Sequence, residues 1–140
     1  MKKTALLLMA LIVALGSLGT APQKGLKNGV YFGESRGKYT SEPYFGQVKV
    51  TIAKGEIAEV AYKIVDKEKK VDFDKDYEKY YKGNDEYIKQ CRNDLAGVKK
   101  YPRMLVKVKD IDKVDAISGA TWSYNIFKAA LADALKKAVK

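Results

Sequence analysis

The stretch YFGQVKVTIAKGEIAEVAYKIV, residues 44–65, leaves the chain the least freedom. Apolar and polar residues alternate over 44–53, the period of a strand with one buried face. Of Phe45, Val48, Val50 and Ile52, three share a face, and Gln47, Lys49 and Thr51 occupy the other. Lys54-Gly55 is a tight turn, and 56–65 reads as the returning strand, so 44–65 is expected to form an antiparallel hairpin. VYFGESRGKY, residues 30–39, reads as a further strand punctuated by Gly33 and Gly37. Three strands with one apolar face need a cover.

The cover is expected to be helical. In DYEKYYKGNDEYIKQCRNDLAG, residues 76–97, positions 77, 81, 84, 88, 91 and 95 fall at helical spacing, with Asn84 the polar exception. Gly83-Asn84 is a point where this helix could divide, and Gly97 reads as its C-terminal cap. Cys91 lies on the stripe and reads as a buried structural thiol. Residues 101–115 admit two readings. One is a short helix with Pro102 at its first position; the other is a strand with Met104, Val106 and Val108 alternating. The helix is preferred. Ser123 to Val139 predicts an amphipathic helix with Ile126, Phe127, Ala130, Leu131, Ala134 and Leu135 inward. The charge run DKEKKVDFDKD, 66–76, reads as a solvated loop; Asp72, Asp74 and Asp76 could move protons, but their spacing is that of a loop. The fold class is thus α+β: a small, hairpin-rich antiparallel sheet packed against two or three helices, one of them C-terminal and amphipathic.

Met1-Lys2-Lys3 is followed by an uncharged apolar run, Thr4 to Leu18, and by the small residues Gly19-Thr20-Ala21. This is the pattern of a signal peptide or N-terminal anchor over 1–21, and it predicts an exported protein. Pro22 makes cleavage after Ala21 a poor fit, so a cut after Gly16 or Ser17, or retention as an anchor, stays open. Residues 22–29 read as a linker and 30–140 as one domain.

Composition removes many chemistries. The chain has no histidine and one cysteine, so a Cys/His zinc site, a disulfide within the chain and His-based nucleophilic catalysis are all excluded by count. No metal site and no catalytic set are expected. The formal charge of +10 favours acidic partners, but it is scattered and matches no nucleic-acid-binding motif, so nucleic acid is not among the partners expected.

The remaining feature is VDAISGATWSYNIFKAAL, residues 114–131. A loop of small residues leads into the last helix. Thr121 or Ser123 could simply cap that helix. A cap does not account for Ser118-Gly119-Ala120 ahead of it. Gly119 permits a sharp turn or a close backbone approach. Ala120 leaves Thr121 unobstructed, and a helix N-terminus suits a phosphate.

Asp115-Ala116-Ile117-Ser118-Gly119-Ala120-Thr121 closely resembles the flavinylation motif of the FMN-binding domain family, Asp-x-x-(Ser/Thr)-Gly-Ala-Thr. NGVYFGES, VKVTIAKGEIAEV and DAISGATWS stand in the family's order, over residues 28 to 139. That family includes the C subunit of sodium-pumping NADH:quinone reductase, its relative in the Rnf complex and small exported electron-transfer proteins. The resemblance implies FMN joined to Thr121 through a phosphoester, installed from FAD by a separate magnesium-dependent flavin transferase. It implies Asp115, Ser118, Gly119 and Ala120 as recognition residues, with Trp122 and Ser123 completing the cofactor site. Trp122, Tyr31, Tyr44 and Phe45 are candidates to pack against the ring. The function implied is that of an electron carrier outside the cytoplasm or at the membrane, with unknown redox partners there. Two rivals stand beside it: a surface or antigenic binding protein that keeps the fold without flavin, and a small flavin reductase with its own substrate. Nothing in the sequence reads as the transmembrane and partner segments of the large quinone-reductase subunits or as a second domain for substrate reduction, so a stand-alone carrier is the expectation.

Overall fold

The computed structural model describes residues 25–35 and 43–139. The expected signal or anchor segment and the far end of the first expected strand, with Gly37, lie outside them. Among the described residues no helix is long and apolar enough to cross a membrane.

Four antiparallel strands form one sheet in the order β1 (Gly29–Glu34), β2 (Tyr44–Ala53), β3 (Glu56–Asp66), β4 (Val71–Asp72). The hairpin expected from the alternation is present, with Val48 opposite Tyr62 and Val50 opposite Val60. Its turn residues, Lys54 and Gly55, both have positive φ (54° and 74°), the geometry that matches strand twist in a two-residue connection. Val48, Val50 and Ile52 point inward and are buried, each contributing about 1.5–3 kcal/mol if fully removed from water. Of the expected linker, 22–29, residues 25–29 are described: Leu26 is buried and bridges Val139, Lys27 N donates to Ala138 O at 2.7 Å, and Gly29 already belongs to β1.

Two helices cover the inner face, α1 (Asp85–Val108) and α2 (Thr121–Leu135). The expected helix over 76–97 does divide at Gly83-Asn84. Tyr77–Tyr81 forms a 3-10 turn, and the Asn84 side chain caps α1 by accepting from Tyr87 N at 3.2 Å. Four expectations need correction. Gly97 does not end a helix: it lies inside α1, where its missing side chain admits the start of α2. Pro102 does not begin one; α1 runs through it to Val108 and closes at Lys109, whose φ is 60°. The charge run is not simply a solvated loop, because Asp66 and Phe73 are buried and Val71–Asp72 pairs with β3. The last helix is α2, Thr121–Leu135, in place of the expected 123–139. It lies close on the sheet at Gly33, where a Cβ would overlap the backbone of Ala130 and Ala134.

Candidate functional site

The 114–131 stretch folds as a connection that α1 pins from below. Gly119 has φ +84°, which a side chain would strain, and a Cβ there would sit 3.0 Å from Asn93 Nδ2. Tyr101, fully buried, accepts from Ile117 N at 2.9 Å and donates to Ala120 O at 2.8 Å, so one hydroxyl ties both ends of Ile117–Ala120. Burial raises the Tyr101 hydroxyl pKa, with a smaller opposing contribution from Ile117 N–H. Gln90 Nε2 donates to Gly119 O at 2.9 Å and to Asp94 Oδ2 at 2.7 Å. Buried Asp94 then accepts from Ser123 N at 3.1 Å. A carboxylate from α1 therefore does the capping expected of a hydroxyl. Ala120 is the N-cap residue, and Ser123 Oγ donates back to Ala120 O at 3.1 Å.

The exposed and buried residues of the motif divide cleanly. Asp115, Ser118, Gly119 and Thr121 are exposed, whereas Ala120 and Ser123 are buried. Thr121 is the first residue of α2 and is exposed. Asp94 takes the Ser123 N–H and Ala120 O takes that of Tyr124, which leaves the Thr121 and Trp122 N–H groups of the helix start for an anion.

Beside the loop is a cavity of about 420 Å³ whose walls include Tyr44, Phe73, Tyr81, Gln90, Cys91 and Trp122. Its volume is in the range of small-molecule sites. The walls are largely aromatic. Trp122 meets Tyr44 edge-on at 5.2 Å and Phe73 at 5.5 Å, and Tyr87 stacks on Tyr81 at 4.7 Å. Of the four ring-packing candidates the structure brings Tyr44 and Trp122 to this cavity. Tyr31 instead donates to Lys27 O, and Phe45 is buried away from it. Cys91 is a half-buried wall residue rather than a core thiol, and burial, with Asp94 and Glu78 nearby, pushes its pKa up. The supporting roles of Gln90, Asn93, Asp94 and Tyr101 have no signal near the motif because these residues come from α1, as does Gly97, expected as a helix end. A second concavity, about 330 Å³, lies on the outer sheet face around Phe32, Lys49, Ala61 and Lys63 and includes no motif residue. Among the described residues no group of three or more acidic or cysteine side chains could hold a metal.

An aromatic pocket near a small-residue turn at a helix N-terminus has the parts to take a planar ligand with an anionic arm. The chain belongs to the FMN-binding domain family, whose profile matches residues 45–136. FMN is therefore the cofactor that the family supports, and the chain a flavin-binding protein. Among solved structures the fold is similar to that of CPE2226 protein from Clostridium perfringens, with 24% identity, 81% of this chain and 88% of that chain covered, and a TM-score of 0.61. A solution structure of a protein from Clostridium thermocellum matches more loosely, with 19% identity, 82% and 95% coverage, and a TM-score of 0.42. No curated protein matches the chain.

Proposed function

We propose that this chain is an exported electron carrier with FMN bound covalently through its phosphate to Thr121. The observation that carries the reading is the exposed Thr121 at the N-terminus of α2, on a turn held by Tyr101, Gln90 and Asp94 and next in sequence to Trp122, a wall of the aromatic cavity. The residues fit the group. The helix N-terminus and small loop suit the phosphate, and Tyr44, Phe73 and Trp122 suit a flat ring. Bound there, the ring would supply one- or two-electron transfer. The chain's own task is to orient the ring, shield one side of it from water and keep it from diffusing away.

Attachment needs a partner. The threonine oxygen forms the bond to phosphorus, the phosphoanhydride of FAD breaks, AMP leaves, and the threonine proton passes to a base. The chain has no histidine, and neither Thr121 nor Ser118 has a hydrogen-bonded base beside it among the described residues. Base and magnesium would both come from the flavin transferase.

The test is intact mass on the full chain co-expressed with a flavin transferase. A gain equal to FMN minus water is expected, with fluorescence that survives denaturation, and both vanish in Thr121→Ala. An unchanged mass beside a working transferase control would reduce the loop to a helix start and leave a flavin-free binding protein.

A further inference from the structure

We infer that the pocket wall at Tyr81 is a hydrogen-bond acceptor by construction, its polarity set by buried Asp66 through three linked phenols, so that it selects a ring offering an N–H. The inference deepens the flavin reading and rests on it for the ligand's identity.

Asp66 is 1% exposed. Its Oδ1 accepts from the N–H groups of Glu68 and Lys69, each at 3.0 Å, and its Oδ2 accepts from the Tyr77 hydroxyl at 2.6 Å. Lys69 Nζ lies 3.7 Å from Oδ2. Burial alone would raise its pKa, but the Tyr77 hydroxyl, Lys69 and the Glu68 amide outweigh burial and hold it below the usual carboxylate value. Asp66 is thus ionised at neutral pH and has no hydrogen to give.

Each phenol has one hydrogen, and that fixes the rest of the chain. Tyr77 uses its hydrogen on Asp66. The 2.6 Å bond between the Tyr44 and Tyr77 hydroxyls must then be donated by Tyr44. The 3.1 Å bond between Tyr44 and Tyr81 must be donated by Tyr81. Every hydrogen points toward Asp66, and the remaining capacity of the Tyr81 oxygen is as an acceptor. Tyr81, Tyr44 and Tyr77 all line the cavity; Asp66 does not. The pKa values of Tyr44 and Tyr77 are both raised, by burial first; the bond to Asp66 adds to this at Tyr77, while at Tyr44 the bond to Tyr77 opposes it and the bond from Tyr81 adds to it, so neither loses its proton near neutral pH. An oxidised isoalloxazine carries one N–H, at N3, and that is the group such a wall would take.

The test compares riboflavin with 3-methylriboflavin, which lacks that N–H, on the full chain made without a transferase. Trp122 is the chain's one tryptophan and lines the cavity, so its quenching reports occupancy. Riboflavin should bind about tenfold more tightly than the methylated ring, the order expected of one hydrogen bond. Tyr81→Phe should abolish the preference. Asp66→Asn should abolish it from outside the pocket, because the amide can donate to Tyr77, the chain reverses, and the Tyr81 O–H then faces the cavity. Equal binding of the two rings to the wild type overturns the inference and leaves the flavin reading standing. A preference that survives both substitutions is steric and overturns it too. If neither ring quenches Trp122, the ring does not sit here, and the inference falls while the mass measurement still decides attachment.

Discussion

Gly97 is where one atom decides the site. A Cβ there would lie 2.6 Å from Ser123 Oγ, 2.8 Å from Tyr101 Cε2 and 2.9 Å from Ala120 Cβ, all groups that fix the loop or the start of α2. Alanine is the better helix former by about 1 kcal/mol, but overpacking costs about 1–3 kcal/mol and none of these neighbours is a free surface side chain. Gly97→Ala is therefore expected to destabilise the protein and to lower flavinylation at Thr121 severalfold. Denaturant unfolding and intact mass on the same preparation check both. A neutral variant would show that this contact does not hold the loop. The same position shows how far sequence carried. Asp115 to Thr121 is contiguous, so the motif could be read directly. Its supports are not contiguous with it. Gly97 looked like a helix stop because a glycine chosen for close approach and one chosen for left-handed φ are the same letter. Tyr101 and Asp94 carry no local mark of their role, since their partners lie some twenty to thirty residues away.

Strand β1 is one sheet edge, and α2 and the residues just past its end guard it. Glu34 N donates to Asp133 Oδ2 at 2.9 Å, and Phe32 O accepts from Lys137 Nζ at 2.6 Å, so side chains occupy groups that another strand could pair with. Asp133 has its pKa lowered by Lys136 first, then by Glu34 N–H, against a smaller burial effect. A depressed carboxylate pKa contributes stability that is fully present above the unfolded value, about 3.9, and is lost as pH falls through the folded one. Asp133→Ala should cost about 1 kcal/mol at neutral pH, and the gap should close below the ordinary carboxylate range. Urea midpoints across pH 3 to 7 would show this, and a constant gap would mean that packing, not charge, is lost. The hairpin and α2 were legible because periods of 2 and 3.6 are written in contiguous apolar residues. The long α1 was not, because Pro102 removes the N–H that would reach the Val98 carbonyl. That penalty, about 3 kcal/mol by propensity, is offset by the burial of Tyr101, Pro102 and Leu105 in one turn. β4 is two residues long and has no period to read.

At the scale of the molecule, α2 gives the domain a direction. Its N-terminus carries Thr121 and puts Trp122 in the pocket wall, and its C-terminal end leads to Ala138 and Val139, which bond Lys27 and Leu26. The described chain therefore enters the fold at the end of α2 opposite the site. Fifteen helical residues span about 22 Å, so the pocket lies roughly that far from the entry point. Strand β2 agrees: Tyr44, a pocket wall, is at one end, and the turn at Gly55, which bonds Leu26 and Asn28, is at the other. Were residues 1–21 to stay as an anchor, the alternative to cleavage that the sequence leaves open, the proposed flavin would face away from the bilayer toward partners in solution or in a neighbouring complex. The full chain in vesicles tests this through Trp122. Brominated acyl chains, which quench on contact, should leave its emission unchanged, while an aqueous quencher should reduce it as much as in lipid-free protein. Quenching by the brominated lipids would place the pocket against the membrane and point to a redox partner within the bilayer.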